Sequence, residues 1–142
     1  MNHYSFTLNL TVMNKKAFMT LACAIVLFVI GACSGTPSYD AAVCEQLKEK
    51  IESEEALTDQ DYGTMIGQVE AAAREMKRLK DETEGDKEKE KALLDDPEFR
   101  AMMEYTIGFS LQLQKDAKKL SPDNVKKMAE LGETMKSLKQ DQ

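Results

Sequence analysis

Thr58-Asp59-Gln60-Asp61-Tyr62-Gly63-Thr64-Met65-Ile66-Gly67-Gln68-Val69-Glu70-Ala71-Ala72-Ala73-Arg74-Glu75-Met76-Lys77-Arg78-Leu79 carries the clearest amphipathic pattern in the chain. Tyr62, Met65, Ile66, Val69, Ala72, Ala73, Met76 and Leu79 recur at steps of three and four. That spacing places them on one face of an α-helix, with Arg74, Lys77 and Arg78 off the stripe. Thr58 to Asp61 offer capping oxygens and acidic charge where a helix start favours both. Gly85, just after Thr83-Glu84, is a natural stop, because glycine readily takes the left-handed conformation that closes helices.

On the amino side, a shorter helix opens at Tyr39 or Asp40. Val43, Cys44, Leu47 and Ile51 share its stripe, opposite Glu45, Glu49, Lys50 and Glu52. It should end near Glu54-Glu55. On the carboxyl side, residues 87–91 alternate Lys and Glu, a solvated run that could continue as a short helical turn through Leu94. Asp95-Asp96-Pro97 restarts the chain, with Asp96 as cap and proline in the first turn. The following helix, expected to run to about Leu120, is apolar over a wide arc. Phe99, Met102, Met103, Thr106, Phe109, Leu113, Ala117 and Leu120 form its main stripe. Tyr105 widens it on one side, Ile107 and Leu111 on the other. A helix so apolar is expected at the centre of the fold. Ser121-Pro122-Asp123 repeats the cap-then-proline signal, and a last helix spans residues 125–138. No strand-like alternation interrupts the series. The expectation is an all-α fold, an antiparallel bundle of about four helices over residues 39–142.

Ahead of that domain lies a segment of another kind. Lys15-Lys16 precedes a nearly all-apolar run over residues 17–30, interrupted by Thr20 and ending in Gly31-Ala32-Cys33. The run falls short of the roughly 20 residues that span a bilayer core, so it reads as the apolar region of a cleaved secretory signal. Residues 1–12 do not fit that pattern, and Met13-Asn14-Lys15-Lys16 looks like an ordinary signal-peptide start. Ile30-Gly31-Ala32-Cys33 resembles the lipobox of bacterial lipoproteins. That resemblance implies a diacylglycerol on the Cys33 thiol, cleavage before Cys33, and an acyl chain on the new amino terminus. Two or three chains make a durable anchor where one holds only marginally. Residues 1–32 are thus expected as signal peptide and 33–38 as a lipidated tether.

Processing at Cys33 would remove 32 of the 142 residues and leave 110, enough for one domain. Losing Lys15 and Lys16 takes 19 basic residues to 17 against 25 acidic ones, so the formal charge moves from −6 to −8. Such an acidic module has no electrostatic reason to bind nucleic acid or an anionic bilayer. Its membrane contact is expected through the lipid alone. His3 would leave with the leader. Of the three cysteines only Cys44 would remain as a thiol, so no intrachain disulfide is expected.

The lipobox, the short tether, an acidic first helix and then Glu54-Glu55-Ala56-Leu57-Thr58-Asp59-Gln60-Asp61-Tyr62-Gly63-Thr64-Met65-Ile66 resemble small helical lipoproteins of Bacteroidetes. The resemblance covers the leader and about half of the mature domain. It implies an envelope protein, leaves the role open, and supplies no catalytic residue. Lipoproteins of that phylum bound for the cell surface often carry acidic residues soon after the cysteine. Residues 34–39 have none, which favours the periplasmic face of the outer membrane.

Chemistry-bearing patterns are few. Asp59, Asp61 and Glu70 occupy positions 1, 3 and 12 of a calcium-loop pattern, with Ile66 at position 8. Gly63 and Thr64 stand where a ligand oxygen and the turn glycine belong, and the apolar stripe wants the stretch helical. Those three carboxylates are therefore a weak metal alternative, and no metal is expected. Met65, Met76, Met102, Met103, Met128 and Met135 fall on or beside apolar stripes and read as packing. Without a mature histidine, and with one thiol inside an apolar stripe, nucleophilic catalysis has little to work with. No cofactor beyond the lipid is expected. The expected role is binding or scaffolding, with capture of an apolar ligand between helices as the runner-up and a carboxylate or metal enzyme behind it. Tyr105, Ile107 and Leu111 are the candidate docking residues for a protein partner. Either the first helix or Leu93-Leu94 covers Ile107 and Leu111, or they form an exposed patch.

Overall fold

A computed structural model describes residues 37–140. The expected signal peptide, Cys33 and the first part of the tether lie outside the described residues. Among those described, the chain is all-α, without a strand. Its helices are α1 (Ala41–Glu52), α2 (Asp59–Thr83), α3 (Lys87–Asp95), α4 (Pro97–Lys115) and α5 (Pro122–Gln140), with a 3-10 turn at Ala117–Lys119. The Lys/Glu run that could have been a passing turn is a helix of nine residues.

The helix starts follow their caps. Asp40 accepts from the backbone amides of Ala42 and Val43 at 2.9 and 3.2 Å. Thr58 and Asp61 form a reciprocal capping box, each side chain accepting from the other's amide at 3.1 and 2.9 Å. Asp86 caps α3, and Asp96 caps α4 through Phe99 N with Pro97 in the first turn. Gly85, at φ +84°, makes the turn between α2 and α3. Two ends differ from expectation. α4 stops at Lys115 rather than near Leu120, because the chain tightens at Asp116, whose carboxylate is held by Tyr62 and Gln112. α5 begins at Pro122 rather than at Val125. Proline needs no amide partner in a first turn, and Ser121 accepts from Asn124 N at 3.3 Å.

The centre of the fold also differs. α4 was expected there, but the helix that packs against all four others is α2. Small residues explain the exchange. Ala71, Ala72 and Ala73 are all buried, and a Cβ on Gly63 would come within 3.2 Å of Asn124 Oδ1. Short side chains let neighbouring helices close in on several sides of α2, whereas bulk on α4 fills one side. Val43, Cys44 and Leu47 of α1, Met65, Ile66 and Val69 of α2, and Phe99, Met102, Phe109 and Leu113 of α4 form the core. Burying each large side chain of this kind stabilises the fold by about 1.5–3 kcal/mol. Leu131 is the buried apolar residue that α5 contributes.

Polar ties fix how the elements meet. Lys50 at the end of α1 pairs with Asp61 at the start of α2, 3.0 Å apart. The buried Asn124 donates from Nδ2 to the carbonyl and the carboxylate of Asp59, at 2.9 and 2.7 Å. The Asn124 bonds answer a buried amide that would otherwise be desolvated without a partner.

Candidate functional site

At about 100° per residue, Phe99, Met102, Phe109 and Leu113 fall within one sector of α4, and all four are buried. Met103, Ile107 and Leu111 follow one another at steps of four and form a second apolar line. Its centre lies about 125° around the helix from the buried sector. They are 37, 61 and 60% exposed. Neither expected cover is present. Leu93 packs instead on the Ala72–Phe99–Met102 cluster, and Leu94 is itself 54% exposed. α1 meets α4 on the other flank, where Tyr105 stacks on Phe109 with ring centroids 5.6 Å apart and donates its hydroxyl to the Glu45 carboxylate. Burial, then the Glu45 bond, raises the Tyr105 phenol well above its usual range. The structure therefore brings Ile107 and Leu111 together, adds Met103 to them, and sets Tyr105 apart on the α1 side.

The other sequence candidates are engaged elsewhere. Residues 59–70 are continuous helix. Asp61 caps Thr58 and pairs with Lys50, Asp59 accepts from Asn124, and Glu70 pairs with Arg74 at 2.9 Å. Among the described residues, no group of three His, Cys, Asp or Glu side chains could hold a metal ion. Met65 and Met102 are buried, Met76, Met128 and Met135 half-buried, and Met103 departs from the packing role by lying on the exposed line. Cys44 is a free thiol with no exposed surface. Burial, with Asp40 and Glu45 nearby, pushes its pKa up to about 12, so it stays protonated and unreactive at neutral pH.

Two buried polar clusters have no counterpart in the sequence reading. In the first, Tyr62 donates to Asp116 Oδ2 at 2.8 Å and Gln112 Nε2 donates to the same oxygen at 2.7 Å. Those bonds, Gln112 first, hold the Asp116 carboxyl below its usual range, while burial and the same bond push Tyr62 up to about 12. In the second, Gln68 gathers Asp40 N, the Ser38 carbonyl and the Cys44 thiol around one amide. The one signal for Gln68 was its place between Met65 and Ala72 at helical spacing.

The chain matches no family model, no curated protein and no solved structure. The surface features above therefore carry the functional reading together with the amino-terminal sequence. A cleft of about 500 Å³ also opens between α2, α3 and α4. Leu79, Leu93 and Met102 line it along with the charged Arg78, Lys89 and Glu98. Arg78 is already paired with Glu75 and Glu82, so the cleft offers a contact surface with its neighbouring guanidinium occupied. Among the described residues no helix is long and apolar enough to cross a membrane.

Proposed function

We propose that this chain is a lipid-anchored module of the bacterial envelope, held at the periplasmic face of the outer membrane, that binds or scaffolds a protein partner. The observation that carries the reading is the ordered series Lys15-Lys16, apolar run, Ile30-Gly31-Ala32-Cys33. Cys33 would carry the diacylglycerol and the N-acyl chain after loss of residues 1–32. The domain behind it reads as an antiparallel bundle. Supporting that, Lys50 meets Asp61 while Asp40 meets Gln68, and Tyr62 meets Asp116 while Ala72 meets Phe99. Met103, Ile107 and Leu111 support a docking role, since contiguous exposed apolar side chains mark interaction surfaces. Labelled palmitate tests the anchor: wild type takes up label and Cys33→Ala does not, leaving a longer precursor. Equal labelling of both ends the reading.

The cleft favours one second reading, capture of an apolar ligand under α3. Equimolar binding of a fluorescent fatty acid by the domain, weakened by Leu93→Ala, would move the proposal to it. No catalytic residue and no cofactor are assigned.

A further inference from the structure

The segment entering α1 is fastened to α2 before the helix begins. Gln68, buried at mid-length in α2, accepts from Asp40 N at 2.8 Å and donates from Nε2 to the Ser38 carbonyl at 3.1 Å. Its oxygen also takes the Cys44 thiol at 3.5 Å. Pro37 lies over Gly67, within 3.5 Å of where a Cβ would stand, and Tyr39 packs on the Ala72–Phe99–Met102 cluster. A primary amide inside an apolar stripe is costly unless its donors and acceptor are used. Here the oxygen and one N–H are used on the backbone of a segment 28 to 30 residues away. Residues 37–40 are thus a clasp, although 37 and 38 were expected to belong to the tether.

We propose that Gln68 is a positioning residue that shortens the lipid tether, so that the α2 face bearing Gly67 is held against the lipid surface of the membrane. The proposal rests on the anchored reading given above. Cys33 and Pro37 are four chain steps apart, a reach of at most about 14 Å. Without the clasp the first fixed residue would be Asp40, seven steps away, with a reach of about 25 Å. The shorter span barely exceeds one helix diameter of about 10–12 Å, so a body several helices across cannot roll over on it. Gly67 and Arg74 lie on the same side of α2, about 140–160° around it from Ala72, which packs toward α4. The exposed line of α4 is turned away from that side and stays open to a protein partner. A lipid surface on one side and a docking face on the other fit a module that holds its partner at a set height.

Energy transfer measures this on the lipidated full-length product in phosphatidylcholine vesicles bearing acceptor headgroups. Donors go on Arg74→Cys or on Glu104→Cys; both positions are exposed, whereas Cys44 is buried. The Arg74 donor should lie nearer the acceptor plane by about two packed helix widths, on the order of 20 Å. Gln68→Leu should abolish the difference. So should six Gly/Ser residues inserted between Gly35 and Thr36, a change that leaves the helical core untouched. Equal transfer from both sites before either change overturns the proposal, as does a difference that survives the insertion. A product that does not bind vesicles, while the Asp40 amide remains protected from exchange, overturns the anchored reading and this proposal with it but leaves the clasp standing.

Discussion

The two apolar lines of α4 are built from the same kinds of residue on the same helix and meet opposite fates. Phe99, Met102, Phe109 and Leu113 are at most 3% exposed, while Ile107 and Leu111 are 61 and 60% exposed. Hydrophobicity brings a side chain to a neighbour only where the neighbour leaves room. On one side α2 presents alanines, and the Phe99 and Met102 side chains close on Ala72. On the other, α1 approaches only the Tyr105 flank and α3 reaches only the Phe99 end. Among the described residues, the apolar line left over stays exposed.

The comparison breaks most sharply at Phe99. Phe99→Ala should cost about 3–5 kcal/mol in urea unfolding, because a fully buried ring leaves a cavity between α2 and α4. Ile107→Ala should cost no more than about 0.5 kcal/mol in the same experiment, as surface changes do. Similar losses at the two positions would mean that the two lines are equivalent in the fold.

Next in size is the polar end of the same helix. Asp116→Ala strands the Tyr62 hydroxyl and the Gln112 amide, and should cost about 2–3 kcal/mol at neutral pH. The folded carboxyl is held below its ordinary value, so its contribution is complete above about pH 4 and disappears as the pH falls through the lower folded value. Wild type should therefore lose stability on acidification more steeply than the variant. Parallel acid profiles would remove Asp116 from the account.

A smaller effect appears at alkaline pH. Cys44 and Tyr62 are raised from ordinary values of 9.0 and 10.0 to about 12. Raised folded values favour the protonated forms, so this stability is complete below about pH 9 and is lost as the pH rises from 9 to 12. Cys44→Ala should flatten the first part of that fall, measured as melting temperature from pH 8 to 11, and the wild-type thiol should react slowly with a bulky maleimide throughout the neutral range. Rapid labelling at pH 7 would contradict its burial.

What the sequence made legible follows from how local each signal is. Asp40, the Thr58/Asp61 box, Gly85 and Asp96-Pro97 act within one turn of chain, and the helices start and stop at them. The stripes of α1 and α2 were legible because periodicity alone selects a face. Which helix sits at the centre was not. That depends on the small residues of α2, which a count of apolar bulk passes over. Asp116 and Tyr62 are 54 positions apart and Gln68 and Ser38 are 30 apart, and no local pattern pairs them. Ile107 and Leu111 were legible as a surplus of the wide arc, and Tyr105 as lying on its opposite flank; that Tyr105 is engaged by Glu45 of α1, apart from the other two docking candidates, was not.

The smallest effect on the fold tests the largest claim, that Met103, Ile107 and Leu111 are a free docking surface. In the double variant Ile107→Lys with Leu111→Lys, two cations would face solvent, and the melting temperature should match wild type within the shift of about 0.5 kcal/mol typical of surface changes. Crosslinking in the membrane fraction, read by mass spectrometry, should at the same time lose the partner that wild type recovers. A collapse in melting temperature, the sign of charges forced into a buried site, would contradict the account. So would an unchanged crosslink to the same partner.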